Sequence, residues 1–153
     1  MIIKATKTHL KDLLLIEEEC FKNDCFKLSK NNFLYHIKKE NIFIFLCDKK
    51  VAGYIMKLTY KNSIRIYSLA IKDEFKGLKI GTKLCEELIN NAKVLNKEKI
   101  FLEVRVSNIN AINLYKKLQF KEEKILKNYY SNEDGIKMTL ILKPKNLGFK
   151  FIF

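Results

Sequence analysis

The stretch Leu102-Glu103-Val104-Arg105-Val106-Ser107-Asn108-Ile109-Asn110-Ala111-Ile112-Asn113-Leu114-Tyr115-Lys116-Lys117-Leu118-Gln119-Phe120 decides how the chain folds. In its first half, Leu102, Val104 and Val106 alternate with Glu103 and Arg105, which is the two-residue period of a strand. Asn108 is a helix-capping type, whose side chain satisfies a free N–H of the first turn. Helical spacing resumes from Ala111 to Leu118, so the segment reads strand, capped turn, helix. A carboxylate inside so apolar a strand needs a reason. Glu103 either pairs across strands with a Lys or with Arg105, or it performs acid–base work. Tyr115 follows Leu114 and falls at the edge of the buried stripe, which suits a packed aromatic with a wet hydroxyl or a proton donor.

Upstream, Ser68-Leu69-Ala70-Ile71-Lys72-Asp73-Glu74-Phe75-Lys76-Gly77-Leu78-Lys79-Ile80-Gly81-Thr82-Lys83-Leu84 reads as a strand, a short loop and a helix start. Unpaired N–H groups at such a helix N-terminus make a cradle for an anion. Gly81 lets a phosphate approach the backbone, and Gly77 eases the turn. Lys76, Lys79 and Lys83 add positive charge. If the loop requires a positive φ at position 79, a Lys there costs roughly 1 kcal/mol. Read without its neighbours, this segment is equally a Gly-containing turn before an amphipathic helix.

Working outward, Ile2–Ala5 reads as a strand and His9–Phe21 as a helix. Ser29 caps a second helix that runs to about Lys38. Ile42–Cys47 and Val51–Tyr60 are strands joined by the turn Asp48-Lys49-Lys50, and Ser63–Ile71 is a third. Thr82–Leu95 is a helix with Leu84, Cys85, Leu88, Ile89 and Ala92 on one face. Ile100–Val106 is a strand, Ala111–Leu118 a helix, and Phe120–Tyr129 with Ile136–Leu142 a closing pair of strands. The expected class is α+β, one domain over residues 1–143, with a mixed, largely antiparallel central sheet flanked by about four helices. Residues 144–153 form a tail whose Leu147, Phe149, Phe151, Ile152 and Phe153 are too apolar to float freely.

Together these segments resemble the GNAT superfamily of N-acetyltransferases. In chain order, the first, Ser68–Leu84, matches its acetyl-CoA signature, Q/R-x-x-G-x-G/A, with Lys76 at the Gln/Arg position and Lys79 in place of the first glycine. The second is similar to the L-E-V-R-x-S-N-x-x-A-x-x-L-Y-x-x-x-G-F segment of bacterial ribosomal-protein-alanine N-acetyltransferases, with Gln119 replacing the Gly. Asn128-Tyr129-Tyr130 and Glu133-Asp134-Gly135-Ile136-Lys137-Met138 echo the same family's end. The resemblance implies acetyl-CoA held by Leu69, Ala70, Ile71, Lys76, Gly77, Leu78, Lys79, Ile80, Gly81, Thr82, Asn108 and Tyr115, with no metal. It implies Glu103 as base, through water, and Tyr115 as the acid for the departing thiolate. It puts the acceptor among Cys20–Ser29, Tyr67, Tyr129 and Tyr130. Glu133 and Asp134 either attract a basic peptide or polarise a surface turn.

Composition limits the alternatives. Hydrophobic residues at 48% and charged ones at 31% indicate a globular chain. No apolar run reaches the roughly 18–20 residues a membrane helix needs, and Met1-Ile2-Ile3-Lys4 reads as a strand rather than a signal peptide. Cys20, Cys25, Cys47 and Cys85 lack the spacing of a zinc site and fit reduced thiols in the cytoplasm. The net charge of +13 suits a solvated Lys surface or attraction to an acidic or ribosomal partner. Arg65 and Arg105 are the only arginines among 30 basic residues, which argues against nucleic acid as a direct ligand. His9 and His36 lie away from both segments, and no Ser-His-Asp or Cys-His arrangement suggests an acyl-enzyme. The resemblance then implies direct transfer from acetyl-CoA to an amine in a ternary complex, with a protein N-terminal α-amine, as in the ribosomal-protein-alanine type, as expected acceptor. A small amine (polyamine, aminoglycoside or amino acid) would share every CoA residue. A non-catalytic CoA-binding domain would draw on Lys79 and Gln119.

Overall fold

Asp48 and Lys49 take left-handed backbone, with φ of 47° and 66°, as a type I′ hairpin turn demands at both central residues. They join β2 (Ile42–Cys47) to β3 (Lys50–Thr59), which pair from Cys47↔Lys50 to Ile42↔Met56. This computed structural model describes residues 1–143; the expected apolar tail, 144–153, lies outside the described residues. β1 (Ile2–Lys4) flanks β2, and β4 (Ser63–Ile71) flanks β3, both antiparallel. β5 (Lys99–Arg105) runs parallel to β4. β7 (Glu133–Ile141) and the edge strand β6 (Lys121–Tyr130) complete a seven-stranded sheet in the order β1-β2-β3-β4-β5-β7-β6. Four helices pack on it, α1 (Leu10–Phe21), α2 (Lys30–Lys38), α3 (Ile80–Val94) and α4 (Ile109–Lys117), giving one α+β domain.

Each face of the sheet buries its own apolar layer. Leu13 and Ile16 of α1, with Phe33 and Ile37 of α2, meet Ile42, Ile44, Tyr54 and Met56. On the opposite face, Leu84, Leu88 and Ala92 of α3 and Ile112 of α4 meet Ile55, Ile64, Ile66, Ile100, Leu102 and Val104. The alternation in β5 is retained, with Ile100, Leu102 and Val104 buried and Phe101, Glu103 and Arg105 part-exposed. Ser29 caps α2 through a reciprocal pair with Asn32, whose N–H donates to Ser29 Oγ while Ser29 N–H donates to Asn32 Oδ1.

Two irregularities shape the site. Met56 pairs with Ser68 but the next residue, Lys57, pairs with Ile66, so Tyr67 is an extra residue in β4. Such a bulge bends a strand and reverses its side-chain parity. Ile64 and Ile66 therefore face α3, whereas Ala70, four residues beyond Ile66, joins the layer under α1. Second, the β4–β5 ladder covers only Ser63–Arg65 against Lys99–Phe101, although both strands continue. Beyond Arg65 the two strands part and open a cleft.

The closing hairpin is tighter than the sequence suggests. Only Ser131 and Asn132 separate β6 from β7, so Glu133, Asp134 and Gly135 are strand residues rather than loop. No helix among the described residues is long and apolar enough to cross a membrane.

Candidate active site

The parted strands bound a cavity of about 580 Å³. β4 contributes Arg65, Tyr67, Ser68 and Leu69; β5 contributes Glu103 and Arg105; Asn108, Ala111 and Tyr115 come from α4 and its cap. Glu17, Cys20, Phe21, Asp24, Phe26 and Leu28 enter from α1 and the following loop, and Tyr129 and Tyr130 from β6. Glu103, Tyr115, Asn108, Leu69, Tyr67, Tyr129 and Tyr130, expected from sequence to share a site, thus line one cavity.

Glu103 does not pair with Arg105. Its Oε2 accepts from Arg65 Nε on the neighbouring parallel strand at 2.9 Å, and the guanidinium also donates from Nη2 to the Tyr129 hydroxyl at 3.3 Å. Register explains this: Arg65 lies opposite Phe101, and Glu103 is two residues further along the same face. Arg105 instead stacks 4.2 Å from the Tyr130 ring centroid and pairs with Glu133 and Asp24. Glu133 also accepts from the Ser107 hydroxyl and N–H. These bonds, the Ser107 hydroxyl foremost and Arg105 after it, hold its carboxyl below the usual range. Asp134 accepts from Asn128 N–H at 2.8 Å. Glu133 thus staples the end of β5 to β7, and Asp134 staples β6 to β7.

Tyr115 is more buried than its place beside Leu114 suggests. It is 5% exposed and packs edge-on against Phe120, with ring centroids 5.6 Å apart. The helix turns its stripe toward the sheet through Ile112 and Tyr115 together. Burial raises the Tyr115 hydroxyl well above its ordinary value, so it keeps its proton across the physiological range. Asn108 caps α4 through Ala111 N–H at 3.2 Å. Burial likewise pushes Tyr130 up to about 12.

The phosphate loop lies outside the cavity lining, at the N-terminus of α3. Lys79 adopts φ 59°, ψ 25° and offers no side-chain cap. The first intrahelical bond is Lys83 N–H to Lys79 O, so the N–H groups of Ile80, Gly81 and Thr82 have no partner within the helix. A Cβ built on Gly81 would make only ordinary contacts, at 3.8–4.0 Å, with Leu114, Ile71 and Leu69, which places the first turn of α3 beside β4 and α4. Gly77 sits at φ 82°, and Leu78 is exposed. Two expected cations are diverted. Lys76 binds Asp73 at 2.7 Å and Lys83 stands 5.6 Å from the Phe45 ring centroid, leaving backbone donors as the main feature of the cradle. Ala70 is buried beneath α1. Donors at the helix start and a glycine in its first turn fit the pyrophosphate of CoA, and Leu69, beside Gly81, also lines the cavity that holds Tyr115.

Asp24 and Phe26 come from the expected Cys20–Ser29 wall, whereas sequence reading missed Glu17 and the role of Arg65. Glu17 is 2% exposed. It accepts from the Tyr54 hydroxyl and, at 2.6 Å, from Leu28 N–H, and Tyr54 in turn contacts Ser68 Oγ at 2.8 Å. Burial raises its carboxyl despite these two bonds. The available signal was an acid one turn past Leu13 and beside Ile16, on the apolar stripe of the helix. His9 and His36 stay outside the cavity, bonded to Thr6 and Asn41.

Comparison with known proteins bears on this geometry. Residues 9–120 match the Acetyltransferase (GNAT) family. The chain is 38% identical over 127 residues to an N-alpha-acetyltransferase of Sulfurisphaera tokodaii, covering 73% of this chain and 75% of that one. The crystal structure of the ribosomal-protein-S18-alanine N-acetyltransferase from Escherichia coli superposes with a TM-score of 0.84 at 26% identity, covering 99% of each chain. A putative acetyltransferase from Salmonella typhimurium, solved with its cofactor acetyl-CoA, shares the fold at 16% identity and a TM-score of 0.83, over 94% of both chains. With cradle, cleft and family in agreement, the chain belongs to the GNAT acetyltransferases and is an acetyl-CoA-dependent N-acetyltransferase.

Proposed function

We propose that this enzyme acetylates the α-amine of protein N-termini, beginning with a small residue such as Ala, in a cytoplasmic setting where its free cysteines stay reduced. The observation that carries the reading is the placing of Glu103 and Tyr115 on one cavity whose mouth is rimmed by exposed aromatics. Phe26, Tyr67 and Tyr129 are 55%, 40% and 42% exposed there. Such a rim suits a peptide leaving the cavity better than a small amine enclosed by it. Relatives named for N-alpha and ribosomal-protein-alanine acetylation support the same acceptor class.

Bound acetyl-CoA supplies an activated thioester. Glu103 Oε1, free of protein hydrogen bonds among the described residues, takes the proton that the neutral amine sheds as it attacks the thioester carbonyl, directly or through water. Tyr115, held protonated by burial, donates to the departing sulfur. Tyr67, Tyr129 and Tyr130 flank the acceptor, while the backbone of Leu69, Ala70 and Ile71, the loop and first helical turn at 76–82, and Asn108 hold the cofactor. Holding amine and thioester together supplies roughly 7–11 kcal/mol of the barrier. An α-amine, with pKa about 7.7–8.0, is a free nucleophile in a sizeable minority of molecules near neutral pH, against about one lysine in a thousand. One carboxylate therefore suffices.

Three acceptors at one pH test this: a hexapeptide with free N-terminal Ala, the same peptide blocked but carrying an internal Lys, and spermidine. The free N-terminus should react fastest. A lead for the blocked peptide or for spermidine overturns the acceptor assignment. Glu103→Gln and Tyr115→Phe should each lower kcat by about 10–10³-fold with CoA affinity little changed; wild-type turnover in both removes the assigned roles.

A further inference from the structure

Arg65 is pinned on three sides. Its Nε donates to Glu103 Oε2 at 2.9 Å, its Nη2 donates to the Tyr129 hydroxyl at 3.3 Å, and its guanidinium lies 5.4 Å from the Tyr67 ring centroid. The side chains of Arg65 and Glu103 are 24% and 14% exposed, so the pair is largely shielded from competing water. It also bridges β4 and β5 at the last rung of their ladder, where the cleft begins. Glu103 is thereby held by one oxygen only. Oε1 bears no protein hydrogen bond among the described residues and is not sealed from solvent, so it opens on the cavity.

We propose that Arg65 is the positioning residue for the acceptor's proton: it takes Oε2 and presents Oε1 to the incoming amine. Arginine suits this task because its planar fork directs one N–H at the carboxylate while another anchors to Tyr129. A lysine would keep the charge but lose the second anchor. The same clasp ties the base to Tyr129 on the acceptor wall, so the proton acceptor and the residue beside the substrate move as one unit. The assignment rests on Glu103 acting as base, and the test separates the two claims.

Arg65→Met and Arg65→Lys are made in the wild-type and Glu103→Gln backgrounds, with melting temperature, kcat and both KM values measured. Arg65→Met should lower kcat about tenfold or more, the usual size for an orienting partner, with the acetyl-CoA KM unchanged and Arg65→Lys intermediate. In the Glu103→Gln background neither substitution should lower kcat further, since there is no carboxylate left to orient. Equal fractional losses in both backgrounds, or wild-type kcat in folded Arg65→Met, overturn the proposal. If Glu103→Gln alone keeps full turnover, the base assignment fails first and takes this inference with it. Should Arg65→Met not fold, the same comparison on Arg65→Lys decides.

Discussion

Lys79 offers a separation of backbone from charge at the phosphate cradle. It holds φ 59°, ψ 25° at the start of α3 with its side chain exposed and capping nothing. The left-handed region costs an L-residue roughly 1–2 kcal/mol, and glycine returns about 0.5–1 kcal/mol of that through extra freedom in the unfolded chain. Lys79→Gly should therefore stabilise the protein by about 0.5–1 kcal/mol. At about 2–4 °C per kcal/mol for a chain of this size, Tm rises by about 1–4 °C. The N–H groups proposed to face the pyrophosphate are unchanged, and an exposed ammonium is worth only about 0.2–1 kcal/mol. CoA affinity by calorimetry should therefore be equal or better. Lys79→Met keeps the strain and removes the charge, so its Tm should stay at the wild-type value. A lower Tm in Lys79→Gly refutes the strain argument. CoA binding more than about fivefold weaker in both variants shows that the ammonium, not the backbone, holds the phosphates.

Other perturbations follow from the same geometry. A Cβ on Gly53 would stand 2.5 Å from Ile71 Cδ1 and 2.7 Å from Ala70 O. Gly53→Ala should therefore cost about 1–3 kcal/mol or more by urea denaturation, and unchanged stability refutes this. At Gly135 a Cβ would meet Tyr130 Cε2 at 3.0 Å and Tyr129 at 3.3 Å. Gly135→Ala should raise the acceptor KM while sparing that of acetyl-CoA, and the reverse pattern would contradict it. Burial raises the Glu17 carboxyl above its ordinary value near 4.5. Its stabilising contribution is therefore full below that value and lost as pH rises through the raised one. Glu17→Gln does not titrate, so its stability deficit against wild type should shrink between pH 4 and pH 8; a deficit that grows with pH refutes this.

Much of the fold was legible because local signals agreed with the tertiary outcome. Ile42–Cys47 and Ser63–Ile71 were read to the residue, since β-branched runs there end at turn residues. The strain at Lys79 was legible because a glycine was expected where a lysine stands. The Glu103–Arg65 pair was not. These residues are 38 positions apart, and only the parallel ladder brings them together, a non-local pairing that no periodicity encodes. Glu17 escaped for another reason: an acid in an amphipathic helix defaults to the wet face, and only Tyr54 and the Leu28 N–H make its burial tolerable.

The extra residue at Tyr67 accounts for where the proposed cofactor and acceptor sites meet. Without it, Ile64, Ile66, Ser68 and Ala70 would keep to one face of β4, as strict alternation requires. With it, Ser68 turns toward Tyr54 and Ala70 toward α1, while Leu69 and Ile71 turn to the α3 side beside Gly81. The same bend coincides with the end of the β4–β5 ladder, so the backbone polar groups of β4 beyond Arg65 are not spent on β5. Those groups border the cleft lined by Ser68, Leu69, Leu102 and Tyr115. A strand edge left unpaired inside a fold is costly unless something binds along it, and an extended cofactor arm of alternating amides has the donors and acceptors to do so. Arg65, at the last paired position, closes the far end of that cleft and hands over to the acceptor wall at Tyr129. A single inserted residue thus sets the proposed cofactor slot on one side of the bend and the clasp on the proposed base on the other.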